Sequence, residues 1–216
     1  MKANLVTVLV ALLMLQAPAC AVEQGEEGMF KIYGQYEKVN PPQPTEDPKR
    51  VEVLELFWYG CPYCYQFEPH LNAWLKKMPA NVVFKRMPTI FRKSWEIHAR
   101  AFYTAQMLGV DGKTHSALFH AMHKDRQRMN TENALRKFCG KHGVSEKDFN
   151  DTFRSFAVDA KVRRARVMGQ RYGIRGVPSV VVNGKYRVNG TSAGGNHNIM
   201  KVVDFLIKKE SNSQRK

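Results

Sequence analysis

After Lys2 the chain opens on an uninterrupted apolar run, VTVLVALLML, which gives way to small residues at QAPACA. Residues 22–50 then read as an extended lead-in, with FKIYGQYEKV strand-like and NPPQPTEDP a proline-rich connection. VEVLELFWY, residues 51–59, is rich in valine, leucine and aromatics, a buried strand by composition and length. Gly60 punctuates it. From Pro62 to about Met78 the apolar spacing becomes helical, with Phe67, Leu71, Trp74 and Leu75 three and four residues apart. Proline suits the first turn of that helix, where its missing N–H would have no partner anyway. Pro79 closes the segment, and NVVFKRMP, residues 81–88, returns to a strand pattern.

The next 80 or so residues are helical nearly throughout, over roughly 94–108, 114–126, 131–141, 145–156 and 158–173. Phe149, Phe153 and Phe156 recur at helical spacing, and Ser145-Glu146-Lys147-Asp148 resembles a capping box. Strand signals come back at PSVVVN and KYRV, joined by Asn183-Gly184, a strong hairpin signal. A last amphipathic helix is predicted over about 196–210. The pattern predicts an α/β fold: a mixed sheet with helices over 22–92 and 174–216, interrupted by an inserted helical domain over 93–173.

Composition fits that picture without narrowing it. Of 216 residues 44% are hydrophobic and 25% charged, the balance of a globular chain that buries a full core. Residues 1–21 read as a secretory signal peptide, with Lys2, the short apolar run and an Ala19-Cys20-Ala21 cleavage site. A lipidated Cys20 is the rival reading, but residue 17 is alanine where such sites usually carry leucine. With no second apolar stretch near 20 residues, a soluble mature protein is expected. Lys and Arg number 34 against 19 Asp and Glu, a formal charge of +15, which raises nucleic acid or an anionic membrane as partners. The densest patch, Lys161, Arg163, Arg164, Arg166 and Arg171, alternates with Val158, Val162, Ala165, Gly169 and Tyr172 on one helical face. It therefore reads as the wet side of an amphipathic helix, and no nucleic-acid partner is expected of an exported chain.

Cleavage would leave three cysteines, Cys61, Cys64 and Cys139, too few for a scaffold held by disulfides. Cys61 and Cys64 stand at a strand-to-helix junction. There, unpaired N–H groups and the positive end of the helix dipole favour a thiolate on the first sulfur. Cys61 is then the exposed, reacting sulfur, and Cys64 the resolving one. A structural zinc site wants four ligands, and attached haem wants histidine after the second cysteine, where this chain has Tyr65. Two structural cysteines without a role remain the plain alternative. Cys139 reads as a buried inert thiol, or else a third redox site or the partner in an intermolecular disulfide. His120 and His123 lack an obvious third ligand, and no metal is expected. Trp58, Tyr59 and Tyr63 could form an apolar rim, although Trp58 could equally be core. Gly176-Val177-Pro178-Ser179 directly precedes the returning strand, where proline marks strand starts and special turns.

The order of signal peptide, FWYGCPYCYQFEP, helical insertion and GVPSVVVNGKYRV resembles the DsbA family of periplasmic thiol:disulfide interchange proteins over essentially the whole mature chain. The resemblance implies a thioredoxin-like fold with an inserted helical domain and a redox centre at Cys61-Pro62-Tyr63-Cys64. Val177–Pro178 would be a cis bond beside the disulfide, where substrate backbone docks. Glu55 would be a buried acid that handles protons, rather than an exposed acid on an edge strand, and Glu68 a second acid nearby. Activity would be the introduction of disulfides into reduced exported proteins in the periplasm. The disulfide itself would accept the electrons with no bound cofactor, and a quinone-linked membrane partner of the DsbB type would reoxidise it. A monomer is expected. The family usually carries histidine before the second cysteine; Tyr63 replaces it here, giving the dipeptide of glutaredoxins and predicting a weaker oxidant. Two other functions stay open, an isomerase or reductase, which would usually bear an added dimerisation domain, and a peptide-binding chaperone with incidental cysteines.

Overall fold

The structure, a computed structural model, describes residues 36–213. The expected signal peptide, Cys20 and most of the strand-like stretch 30–39 lie outside the described residues. Strands β1 (Glu37–Lys38), β2 (Val51–Phe57), β3 (Val82–Pro88), β4 (Ser179–Val182) and β5 (Tyr186–Asn189) make one sheet. Their order across it is β1-β5-β4-β2-β3, with β2 and β3 parallel and every other pairing antiparallel. Helix α1 (Pro62–Leu75) connects the parallel pair. Between β3 and β4 the chain forms α2 (Glu96–Met107), α3 (Asp111–His123), α4 (Glu132–Gly140), α5 (Glu146–Phe153) and α6 (Phe156–Arg171). Helix α7 (Ile199–Ser213) ends the described chain.

Every residue of β2 is buried because the sheet is covered on both sides. Side chains alternate along a strand, so Leu54 and Leu56 meet one core, which includes Phe102, Phe119, Leu135, Phe149 and Val162 from the five-helix segment. Val51 and Val53 meet the other, with Phe67 and Leu71 of α1 and Val202 and Leu206 of α7. Glu55 shares the parity of Val51 and Val53, which turns its carboxyl toward the α1 side. Trp74 Nε1 donates to Asp204 Oδ1 at 2.6 Å and ties α1 to α7.

Hydroxyl caps start three of the inserted helices: Thr131 accepts from Ala134 N, Ser145 from Asp148 N, and Ser155 from Val158 N. The basic stripe falls as expected on the exposed side of α6, which buries Val158, Val162, Ala165 and Gly169. Several boundaries differ from the sequence reading. Helix α1 stops at Leu75 because the chain tightens there into i to i+3 bonds, Lys77 N to Trp74 O and Met78 N to Leu75 O. Helix α3 begins at Asp111 and ends at His123, ahead of the positive φ of 54° at Arg126. Helix α7 begins at Ile199, after a 3₁₀ turn over Asn196–Asn198 that follows Gly194 and Gly195, both at positive φ.

The Asn183-Gly184 hairpin is present, with φ of 51° and 65°, the signature of a type I′ turn. A side chain at Gly184 would place Cβ 1.9 Å from the carbonyl oxygen of Gln43. Gly184→Ala should therefore lower stability by about 1–3 kcal/mol. Gly140→Ala, in an open helical position, should be neutral or mildly stabilising. Thermal unfolding of the two variants beside the parent protein checks both.

Candidate active site

The loop from β2 into α1 places Cys61 at the N-cap, in extended backbone, with Pro62 as the first helical residue. Cys61 N donates to Trp58 O at 2.9 Å, closing the turn. Cys61 Sγ lies 3.3 Å from Val177 O and in its protonated form donates to it. That contact sets the loop before β4 directly against the head of α1, and the Val177–Pro178 peptide within it is cis. Both sulfurs are largely covered: Cys61 keeps 7% exposure and Cys64 none. The Cys61 sulfur is thus less open than its position in the sequence suggests, because the Val177 loop packs on it. Cys61, Cys64 and Cys139 are all free thiols.

The two sulfurs differ sharply in acidity. A hydrogen bond from the Cys64 thiol holds Cys61 down to about 6, against the opposing effect of burial and with help from the N–H groups of Cys64 and Tyr63. Burial pushes Cys64 well above an ordinary thiol, and its bond to Cys61 adds to that. Helix-terminal N–H groups contribute as expected, but the neighbouring thiol contributes more.

Glu55 is fully buried on β2, which is an interior strand of the sheet. Burial raises its carboxyl to about 7, the Glu68 charge adds to this, and Arg86 opposes it. Arg86, its register partner on β3, donates from Nε to Glu55 Oε2 at 2.8 Å, while Glu55 Oε1 has no partner. The same guanidinium lies 3.7 Å from Glu68 Oε1. Glu68 also accepts from Ser116 Oγ at 2.9 Å and from His115 Nε2 at 3.3 Å. Burial works against its charge, but the His115 and Ser116 donors and Arg86 outweigh that and hold Glu68 below the usual carboxylate value. A carboxylate only accepts, so His115 carries its hydrogen on Nε2, and Nδ1 accepts from the Tyr59 hydroxyl at 3.0 Å. Ligand atoms of Glu55, Glu68 and His115 lie within 4.8 Å of one another, a spacing that could hold a cation. Arg86 already supplies that positive charge.

Beside Cys61 a groove of about 850 Å³ is lined by Tyr63, His70, Arg175, Pro178, Asn196 and His197. Tyr63 is 61% exposed and stands over it, while Tyr59 is core, packed on Phe57, Phe119 and His115, so it forms no part of a rim. Trp58 is half-buried and stacks on Trp95. Cys139 is buried among helices, its thiol raised to about 11 by burial. His123 donates to Tyr59 O at 2.7 Å, and neither it nor His120 joins a three-ligand group among the described residues. Arg86, His98 and His115 escaped the sequence reading. The β2–β3 register would have exposed Arg86, and His115 lies three and four residues before buried Leu118 and Phe119.

Such a dithiol, set against a proline loop on a mixed sheet, places the protein in the thioredoxin class. The sequence model of the DSBA-like thioredoxin domain matches residues 52–198. The thiol:disulfide interchange protein DsbA of Azotobacter vinelandii is 43% identical over 185 residues, 86% of each chain. That of Pseudomonas syringae pv. tomato is 41% identical over 202 residues, 94% of this chain and 92% of the relative. The crystal structure of Pseudomonas aeruginosa DsbA, 40% identical, matches with a TM-score of 0.80 over 84% of this chain and 95% of that one. The chain belongs to the DsbA-like thioredoxin family of thiol:disulfide oxidoreductases. No helix among the described residues is long and apolar enough to cross a membrane.

The acidity of Cys61 sets a pH dependence whose sign follows from linkage. Its value falls from 9.0 to about 6 on folding, so the ionised thiolate stabilises the folded dithiol form fully above about 9. That contribution is lost as pH falls through about 6. Thiolate absorbance at 240 nm in the dithiol protein should show a midpoint near pH 6 and vanish in Cys61→Ser. The stability advantage of the dithiol protein over Cys61→Ser should shrink between pH 9 and 6.

Proposed function

We propose that this protein introduces disulfide bonds into reduced exported proteins in the periplasm, with Cys61 as the sulfur that exchanges with substrate. The observation that carries this reading is the acid Cys61 sulfur at the head of α1, 3.3 Å from the Val177 carbonyl. In the disulfide form, a substrate thiolate attacks Cys61 Sγ. The Cys61–Cys64 bond breaks and the electron pair leaves on Cys64. Cys64 is a weak acid in its buried position, so its departing thiolate takes up a proton. Glu55, near neutrality and close enough to influence Cys64, supplies that proton. A second substrate thiolate then attacks the substrate sulfur of the mixed disulfide, and Cys61 leaves as a stabilised thiolate. Two electrons end on the enzyme and one disulfide on the substrate.

Roles for the remaining residues follow from their positions. Pro62 presets the first turn of α1 and frees the adjoining N–H groups to face Cys61. Val177 and Pro178 offer the main-chain edge on which extended substrate docks, with Tyr63 on the opposite lip. Glu68 ionised, with Arg86 between, keeps Glu55 poised to exchange its proton. The disulfide is itself the electron acceptor, so the cycle needs no bound cofactor, only reoxidation by a quinone-linked membrane partner of the DsbB type. Residues 1–21 act as the export signal, 22–92 with 174–216 form the thioredoxin-like unit, and 93–173 form the inserted helical unit that caps one face of the sheet. The protein works as a monomer.

Oxidative refolding of a reduced secreted protein tests the reading: the parent protein should accelerate disulfide formation, and Cys61→Ser and Cys64→Ser should each abolish this. A protein whose refolding aid survives both changes is a chaperone. One kept reduced at the glutathione poise of its compartment is a reductase or isomerase.

Two further outcomes are expected. Tyr63→His should make the pair more oxidising in glutathione buffers, by about tenfold in the equilibrium constant, or about 30 mV. Glu55→Gln should slow the step in which Cys64 departs by at least about tenfold. The ratio of parent to Glu55→Gln rates should fall as pH rises through about 7, because Glu55 loses its proton there. Stopped-flow mixing of the disulfide form with a thiol peptide reads both the rate and its pH profile.

A further inference from the structure

Trp58 touches the cysteine pair twice through its main chain. Its carbonyl accepts from Cys61 N at 2.9 Å, and its N–H faces the Cys64 sulfur. The indole lies beneath Gly60, where any Cβ would come within 2.3 Å of the ring. It stacks on Trp95 with centroids 3.9 Å apart and planes 4° from parallel. Its Nε1–H donates to His98 Nδ1 at 2.9 Å. His98 belongs to α2, is 4% exposed, and meets the Met129 carbonyl through Nε2 at 3.0 Å. The side chain of Trp58 is thus tied to the helical segment while its main chain holds the dithiol.

The two partners of His98 leave its ring one state. An indole nitrogen only donates and a peptide carbonyl only accepts, so the neutral Nε2–H tautomer alone satisfies both. The Nδ1–H tautomer sets hydrogen against hydrogen at Trp58, as does the imidazolium. Burial works in the same direction, lowering the affinity of His98 for a second proton.

We propose that His98 is a positioning residue for thiol exchange: it fixes the Trp58 indole, and the Trp58 main chain thereby holds Cys61 and Cys64 in register. The proposal rests on the reading of Cys61 and Cys64 as the reacting pair. Its consequence runs through the sulfurs. The Cys64 thiol is the strongest donor to Cys61, and that donation requires a fixed separation between them. When Trp58 is released, Cys64 turns away and Cys61 loses its best donor. The dithiol form then becomes less favourable relative to the disulfide, and the enzyme becomes a weaker oxidant.

Three variants separate this role from ordinary packing. His98→Leu removes the acceptor. Trp58→Phe keeps a stacking ring and the main chain but removes the donor. His98→Asn puts a carboxamide oxygen near the place of Nδ1. His98→Leu and Trp58→Phe should each raise the 240 nm thiolate midpoint and shift the glutathione equilibrium toward the disulfide roughly threefold or more, the size of one net hydrogen bond. The double variant should shift it no further than either alone, and His98→Asn should recover most of the loss. Long-range proton–nitrogen spectra of the unaltered protein should show His98 as the Nε2–H tautomer at pH 7.

The proposal is overturned if the Leu and Phe variants lose only thermal stability while midpoint and equilibrium stay at parent values. It is equally overturned if Asn behaves like Leu, or if the spectra show the Nδ1–H tautomer. Cys61→Ser controls for the underlying reading. A 240 nm band that survives in Cys61→Ser refutes Cys61 as the titrating sulfur, whatever the His98 variants do.

Discussion

A thiolate on Cys61 depends on several donors converging on one sulfur, and most of the architecture serves that convergence. The Cys64 thiol and the N–H groups of Tyr63 and Cys64 reach Cys61 only because α1 starts at residue 62. The start is fixed from behind by β2, which is buried along its whole length, and by the turn that bonds Cys61 N to Trp58 O. It is fixed from the front by the Val177 carbonyl, delivered by a strand paired with β2. Thiol exchange needs a sulfur that both attacks and leaves easily, and lowering its pKa serves the leaving step directly. Cys64 bears the opposite assignment in the same space, because burial disfavours its charge. Two chemically identical side chains three residues apart are thus driven to opposite ends of the thiol range.

Beneath them lies a cluster that a stability argument alone would not predict. Glu55, Arg86, Glu68 and His115 bring two carboxyl groups, a guanidinium and an imidazole into the region between the sheet and α1. Charges removed from water carry a desolvation cost that pairing only partly offsets, and apolar replacements of similar volume are often at least as stable. One arginine serves two acids, so one acid is ionised and the other is held near 7. An acid held near 7 is able to change its protonation state near neutrality, which a hydrophobic core could not do. Glu55 Oε1 is left without a hydrogen-bond partner in that cluster.

The helical segment between β3 and β4 contributes more than cover. Helix α2 supplies His98, and α3 supplies His115 and Ser116, so residues from the segment reach the dithiol loop and the acid cluster from one side of the sheet. Its outer surface is strongly basic along α6, but Arg163 and Arg166 are neutralised by Asp159 and Glu96. Exposed pairs of this kind add little to stability, and they soften the positive field that the formal charge suggests.

Local chemistry made much of this protein legible in its sequence. The apolar run of β2, the three- and four-residue spacing of the helices, the Asn183-Gly184 turn and the Cys61–Cys64 pair are each set by neighbours within a few residues, and each appears in the structure, the helices with ends shifted by a few residues. The family resemblance likewise rested on contiguous motifs. Sequence could not supply the pairings that close over long chain separations. Arg86 meets Glu55 across a strand register, Cys61 meets Val177 116 residues away, and Trp58 meets His98 across 40. Those contacts depend on how the sheet orders its strands and how the helices pack over it. The partners of a histidine or arginine are not written in its local spacing even where that spacing hints at burial, and the acidity of each sulfur and carboxyl follows from burial and partners that exist only once the chain has folded.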